Sequence, residues 1–179
     1  MSDETHSEHH QRILFIHGLE GTSQGFKAQL LRNLFPGMRI PDFRGALEER
    51  MQKLRAELEG RSDWIIIGSS LGGLMAAMYA FENPQRVSQL ILLAPALIWP
   101  DFAQSLPEPI NVPVTIFHGT RDHIIPLDQV RPIAEQIFRS LDFHVVDDDH
   151  GMHQTVQSVD WKSLIARQLQ PGAEDHEKR

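Results

Sequence analysis

The feature that most constrains this chain is a repeated alternation. Short β-branched or aliphatic runs are followed, again and again, by longer segments with helical spacing. The runs at 12–18 (RILFIHG), 63–68 (DWIIIG), 87–96 (VSQLILLAPA), 113–119 (PVTIFHG) and 143–147 (FHVVD) read as strands, and 38–43 (MRIPDF) as a weaker one that Pro41 confines to a sheet edge. Helical spacing fills 24–35, 46–60, 71–83, 127–141 and 156–169. In 46–60 the residues Leu47, Met51, Leu54 and Leu58 fall on one stripe. Pro132 marks a late start or a kink in the helix over 127–141. Several strands are apolar on both faces, as a sheet covered by helices on both sides requires. The alternation therefore predicts an α/β fold. It is a three-layer α/β/α sandwich around a mostly parallel sheet of about six strands.

The alternating region predicts one domain over 12–170, with polar tails at 1–11 and 171–179 that lack apolar periodicity. His6, His9 and His10 in the first tail read as solvated side chains rather than metal ligands. The N-terminal stretch has no apolar core of the kind a signal peptide carries, and no apolar run reaches membrane-spanning length. The chain has no cysteine, which removes disulfides and thiolate chemistry and fits a reducing, cytoplasmic setting. A formal net charge of −7 argues against a nucleic-acid partner or an anionic membrane surface.

In such a fold, ligands bind beyond the carboxyl ends of the strands, so reacting residues should follow strands directly. The segment IIIGSSLGG, 65–73, meets that condition with two serines. A sharp strand-to-helix turn that lifts a serine above the sheet brings together the residues two before and two after it, and both must be small. Ser70 is flanked at that spacing by Gly68 and Gly72, whereas Ser69 is flanked by Ile67 and Leu71. Ser70 is therefore the candidate nucleophile. The competing reading makes Ser70 a simple helix cap.

A serine needs a base, and the base an orienting carboxylate. Asp122 follows the strand at 113–119 and His150 follows the last strand, which supplies the order Ser70, Asp122, His150. His153 competes with His150 but lies farther from the strand end. His118 and His144 lie within strands and His123 precedes the last strand, so these three fit less well. Asp147, Asp148 and Asp149 read as an acidic surface turn. Two backbone donors are needed for an oxyanion: the N–H of Leu71 directly after the serine, and the N–H of Leu19 in the glycine-bearing loop HGLEGT. His17 reads as a brace for that loop, and Glu20 as a solvent-facing carboxylate at the entrance.

With these pieces in order, LFIHG, IIIGSSLGG, NPQRVSQLILLAPA, HGTRDHIIP and DDDHGMH, the chain resembles the α/β-hydrolase family over nearly all of 12–169. It looks most like the small bacterial esterase branch that lacks a lid. The resemblance implies Ser70 as nucleophile, Asp122 as acid, His150 as base and Leu19 and Leu71 as oxyanion donors. No cofactor and no metal is implied, and the partner is a small-molecule ester. Two departures stand out: the family's first two strands have no counterpart, and no cap insertion follows LILLAPA. Only 97–113 lies there, so the site should be open and shallow, with Trp99 and Phe102 either lining an acyl pocket or anchoring the loop. The implied activity is hydrolysis of short- to medium-chain carboxylic esters. Thioester or C–C bond hydrolysis would use the same residues, and a non-catalytic binding protein on this fold is the other class.

Overall fold

The computed structural model describes residues 12–169, so the expectations for the two tails lie outside the described residues. Five parallel strands form one sheet in sequence order: β1 (Ile13–Ile16), β2 (Trp64–Ser69), β3 (Val87–Leu93), β4 (Val114–Gly119) and β5 (Leu141–Val146). The helices are α1 (Phe26–Leu34), α2 (Leu47–Glu57), α3 (Leu71–Glu82), the short α4 (Pro100–Ala103), α5 (Leu127–Ile137), α6 (His153–Ser158) and α7 (Trp161–Leu169).

Period-two alternation along the strands builds two separate cores. Leu14, Ile16, Trp64, Ile66, Leu90, Leu92, Val114 and Ile116 face one side, where α2, α3 and α5 supply Met51, Leu54, Leu74, Val130 and Ile137. Ile13, Phe15, Ile65, Ile67, Ile91 and Leu93 face the other, against Leu31 of α1, Val156 of α6 and Trp161 and Ile165 of α7. Each central strand thus buries both faces, which explains why these runs are apolar without interruption. Helix α3 is buried nearly all round, since one side packs on the sheet and another on α2. Its small residues, Gly72, Gly73, Ala76, Ala77 and Ala80, allow that close approach.

The fold differs from the sequence reading at the sheet edge and in the closing helix. The stretch 38–43 contributes only a single bridge, Arg39 to Leu14, on the outer edge of β1. Arg39 exchanges backbone hydrogen bonds with Ile13 and Phe15, but Pro41 has no N–H to carry the ladder on. The closing helix over 156–169 is two helices, since α6 starts at His153 and the chain turns at Val159. Asp160 restarts it, its side chain accepting the Ser163 N–H at 3.1 Å. Helix α5 begins at Leu127 and contains Pro132, so the late start is not seen. Among the described residues no helix is long and apolar enough to cross a membrane.

The strand order puts β2 second in the sheet, with β1 and β3 on either side. The loops after β1, β2, β4 and β5 all leave the same, carboxyl edge of the sheet, and each carries one part of the candidate site.

Candidate active site

Ser70 sits on the turn from β2 into α3 with φ 55° and ψ −119°, a conformation that costs a non-glycine residue about 1–3 kcal/mol. The surrounding backbone fixes it there. The Ser70 N–H donates to the Leu93 carbonyl at 2.9 Å, and the Ser70 carbonyl accepts the N–H groups of Gly73 at 2.9 Å and Ala96 at 3.0 Å. Both flanking glycines are required by sterics. A β-carbon on Gly68 would overlap the Gly72 carbonyl, and one on Gly72 would overlap the Ile16 carbonyl. Gly72 is thus held small by β1, not only by the crossing with Gly68. Ser69, by contrast, is a buried strand residue.

The Ser70 hydroxyl lies 3.0 Å from His150 Nε2, and His150 Nδ1–H donates to Asp122 Oδ2 at 2.8 Å. With Nδ1 carrying the proton, Nε2 is left to accept from the serine. The side chain of Asp122 is fully buried, and its Oδ1 accepts the N–H groups of Ile124 at 3.0 Å and Ile125 at 2.8 Å. Beneath it, His118 Nε2–H donates to the Ile125 carbonyl at 2.8 Å and lies 3.6 Å from Asp122 Oδ2. Burial pushes the His118 pKa down, so the ring is held neutral. His153 also lines the cavity over Ser70, but it opens α6 with its ring edge-on to Phe26 at 5.0 Å, and the ring bonded to Ser70 and Asp122 is that of His150. His144 stacks on Phe117 and pairs with Asp142, and His123 is exposed.

The loop after β1 is braced from two sides. His17 is buried; its Nδ1–H donates to the Gly18 carbonyl at 2.8 Å and its Nε2 accepts the Phe43 N–H at 2.9 Å. That arrangement needs a neutral ring, and burial lowers the His17 pKa accordingly. Arg50, buried on α2, donates to the carbonyls of Leu19 at 3.0 Å and Gly45 at 2.9 Å. Leu19 and Leu71 both line the cavity over Ser70. Leu71 is the first residue of α3, so its N–H has no carbonyl one turn earlier within the helix to bond.

The histidine loop is closed by Asp148. Its Oδ2 accepts the Thr155 N–H at 2.8 Å and the Thr155 hydroxyl at 2.9 Å, and its Oδ1 accepts the Asp149 N–H at 2.9 Å. Burial by itself raises the carboxyl pKa, but the bonds from Thr155 and Asp149 outweigh it, and the net value lies below the ordinary one. This corrects the reading of 147–149 as a surface turn. Asp147 is exposed and pairs with Arg121, but Asp148 is buried. From α1, Lys27 reaches across to donate to the Gly151 carbonyl at 2.6 Å. The buried Met152 takes the left-handed conformation at φ 53° to make the corner into α6.

These walls enclose a cavity of about 650 Å³, a volume suited to a small organic molecule. Trp99 and Ile98 line it on the β3 side, Phe26 and Lys27 on the α1 side, and Ile124 beside Asp122, with Glu20 exposed at the mouth. Phe102, expected beside Trp99, does not line the cavity. It packs against the core, its ring 6.2 Å from that of Phe81. A four-residue helix, α4, puts Trp99 before its first turn and Phe102 on its inner side. Among the described residues no cluster of three or more histidine or acidic side chains is arranged to hold a metal ion.

Arg50, Asp148, Lys27 and Thr155 were not singled out by the sequence. Arg50 did leave a trace, since it lies three residues after Leu47 and four before Leu54, a charge in phase with an apolar stripe. For Asp148 no local signal exists among three adjacent aspartates.

The model of the alpha/beta hydrolase fold matches residues 11–110, more than half of the 179-residue chain, and the chain belongs to that family. The match contains Ser70 and both glycines but ends before Asp122 and His150. Among solved structures, the chain is similar to mouse alpha/beta hydrolase domain-containing protein 10 at 21% identity, covering 87% of this chain and 89% of that one, with TM-score 0.69. It is similar to an alpha-beta serine hydrolase homologue from Coxiella burnetii at 23% identity, covering 89% and 86%, with TM-score 0.70. It is also similar to Est1E from Butyrivibrio proteoclasticus, solved with ferulic acid bound, at 16% identity, covering 88% of each chain, with TM-score 0.70. At these identities the likeness is one of fold. No curated protein sequence matches the chain.

Proposed function

We propose that this protein is a lidless serine hydrolase that cleaves carboxylic esters of short to medium acyl chain through an acyl-enzyme. The observation that carries the reading is the hydrogen-bonded line from Ser70 through His150 to a buried Asp122, with Ser70 on a strained turn that a helix cap does not need.

In the first half-reaction Ser70 Oγ attacks the ester carbonyl carbon while its proton passes to His150 Nε2. Asp122 stabilises the imidazolium and keeps the ring oriented. The carbonyl oxygen becomes an oxyanion and accepts the N–H groups of Leu19 and Leu71. The tetrahedral centre collapses, the C–O bond to the alcohol breaks, and the departing oxygen takes the proton from His150. Water then enters, gives a proton to His150 and attacks the acyl carbon. Collapse returns that proton to Ser70 and releases the acid. Donors that bind charge only as it develops contribute to rate rather than to ground-state affinity.

A fluorophosphonate probe tests this without knowledge of the substrate. The wild-type chain should be labelled at Ser70 and should turn over p-nitrophenyl acetate, and Ser70→Ala should do neither. A folded wild-type protein that is neither labelled nor active would refute the reading.

A further inference from the structure

Four large apolar side chains among the described residues are well exposed: Leu19 at 53%, Phe26 at 46%, Ile124 at 70% and Val145 at 42%. Val145 lies on the edge strand β5, but the other three all line the cavity over Ser70. They come from three separate segments, the loop after β1, the first turn of α1 and the loop after β4. At such exposure they add little to the folding core, so the fold does not explain why they are apolar.

The chemistry of the site says which part of a substrate they would meet. In the reaction proposed above, on which this inference rests, His150 Nε2 must hand its proton to the departing alcohol oxygen. The alcohol therefore leaves on the side of the site that His150 occupies. Phe26 and Ile124 both belong to that side. Phe26 holds the ring of His153, and its neighbour Lys27 holds the Gly151 carbonyl, so the first turn of α1 packs on the histidine loop itself. The Ile124 N–H is bonded to Asp122, the carboxylate that carries His150. Trp99 and Ile98 reach the cavity on a different segment, the one after β3, where the Ala96 N–H bonds the Ser70 carbonyl.

The charges narrow the class further. Lys27 is the one lysine or arginine among the cavity-lining residues, and its ammonium is bonded to the Gly151 carbonyl, with Asp148 and Asp149 as its nearby carboxylates. No other lysine or arginine is there to receive a phosphate or carboxylate on the alcohol, and Glu20 at the mouth would repel one.

We infer that Phe26 and Ile124 form a leaving-group wall, and that the natural substrate is the ester of an uncharged, apolar alcohol. The alcohol, not the acyl group alone, then contributes to selection.

Two ester series separate the walls. One lengthens the alcohol from ethyl to hexyl acetate; the other lengthens the acid from ethyl acetate to ethyl hexanoate. Straight-chain primary alcohols keep leaving-group reactivity nearly constant, so a trend reports contact. On a half-open wall each methylene should raise kcat/KM about twofold, roughly sixteenfold in all over the four methylenes from ethyl to hexyl acetate. The double variant Phe26→Ser with Ile124→Ser changes exposed residues and should fold. It should flatten the alcohol series to within about twofold while the acyl series keeps its wild-type slope. Acetyl-coenzyme A, whose leaving group is large and anionic, should be a poor substrate beside hexyl acetate. A flat alcohol series in the wild type beside a rising acyl series would overturn this inference and leave the esterase reading intact. So would equal loss in both series in the variant, or efficient turnover of acetyl-coenzyme A. Failure to hydrolyse any ester in either series would overturn both.

Discussion

Asparagine at position 148 would test whether the buried carboxylate holds the histidine loop. The side chain is 3% exposed and accepts three hydrogen bonds, two on Oδ2 from Thr155 and one on Oδ1 from the Asp149 N–H. Asparagine keeps the volume but replaces one acceptor by an NH₂ group. In the better orientation its carbonyl stays on Thr155 and the NH₂ faces the Asp149 N–H, donor against donor. The loss is then charge assistance on two bonds plus one unpaired amide, about 2–4 kcal/mol. Thr155→Val removes only the hydroxyl bond and should cost about 1 kcal/mol. Both are measured by urea unfolding with unchanged m-value. Because the loop carries His150, Asp148→Asn should also lower kcat by about tenfold to a hundredfold, through misplacement of the base. The pH dependence has a definite sign. The folded pKa of Asp148 is depressed, so its stabilising contribution is present above the unfolded carboxyl value and is lost as pH falls through the folded value. The wild type should therefore lose its advantage over Asp148→Asn only in strong acid. An Asp148→Asn protein within about 0.5 kcal/mol of wild type at neutral pH, with normal kcat, would refute the role given to this carboxylate.

Ser70→Ala should reduce p-nitrophenyl acetate turnover by about 10³-fold or more and Ser69→Ala should not, and the same contrast should separate His150→Ala from His153→Ala; a reversal in either pair would reassign the residue. Burial depresses the pKa of His17 and His118, so both rings add stability that is full above the ordinary histidine value near 6.5 and is lost as pH falls from there through their folded values. Melting temperature should thus drop between pH 7 and 5, and a constant Tm over that range would contradict neutral buried rings. Across p-nitrophenyl esters, kcat/KM should climb through short acyl chains and level off by about C4 to C8, each buried methylene adding about 0.8 kcal/mol. Trp99→Ala should flatten that climb and Phe102→Ala should leave its shape unchanged; the opposite pattern would put Phe102, not Trp99, in the acyl pocket.

Which parts of this molecule can be read from its sequence depends on how far apart the deciding contacts lie. The strands could be read because each residue's face follows from its neighbours two away: Trp64 and Ile66 enter one core, Ile65 and Ile67 the other. The turn at Ser70 could be read for the same reason, since its glycines lie two residues to either side. The order Ser70, Asp122, His150 needed only the rule that reacting groups follow strands. The stretch 38–43 does lie on the sheet edge, as Pro41 requires, but how many ladder bonds it makes was not legible, and Arg39 alone makes them. The break at Val159 turned on one aspartate side chain choosing to cap rather than to face solvent.

Three adjacent aspartates show where local reading stops. Asp147, Asp148 and Asp149 have almost the same neighbours in sequence, yet one is buried and two are exposed. What selects Asp148 is Thr155, seven residues on, whose N–H and hydroxyl both need an acceptor at the start of α6. Trp99 and Phe102 pose the same problem three residues apart. Phe102 is drawn inward because Phe81, on α3, leaves an aromatic surface to cover, and that leaves Trp99 to line the cavity. In both cases the sequence supplies candidates of equal chemistry, and a partner from another element decides among them. Variants of that partner are therefore the sharper test. If Phe81 is what draws Phe102 inward, Phe81→Ala should release it toward the cavity and change the acyl-chain profile from a position that touches no substrate. An unchanged profile in Phe81→Ala would mean that the backbone of α4 alone sets the choice.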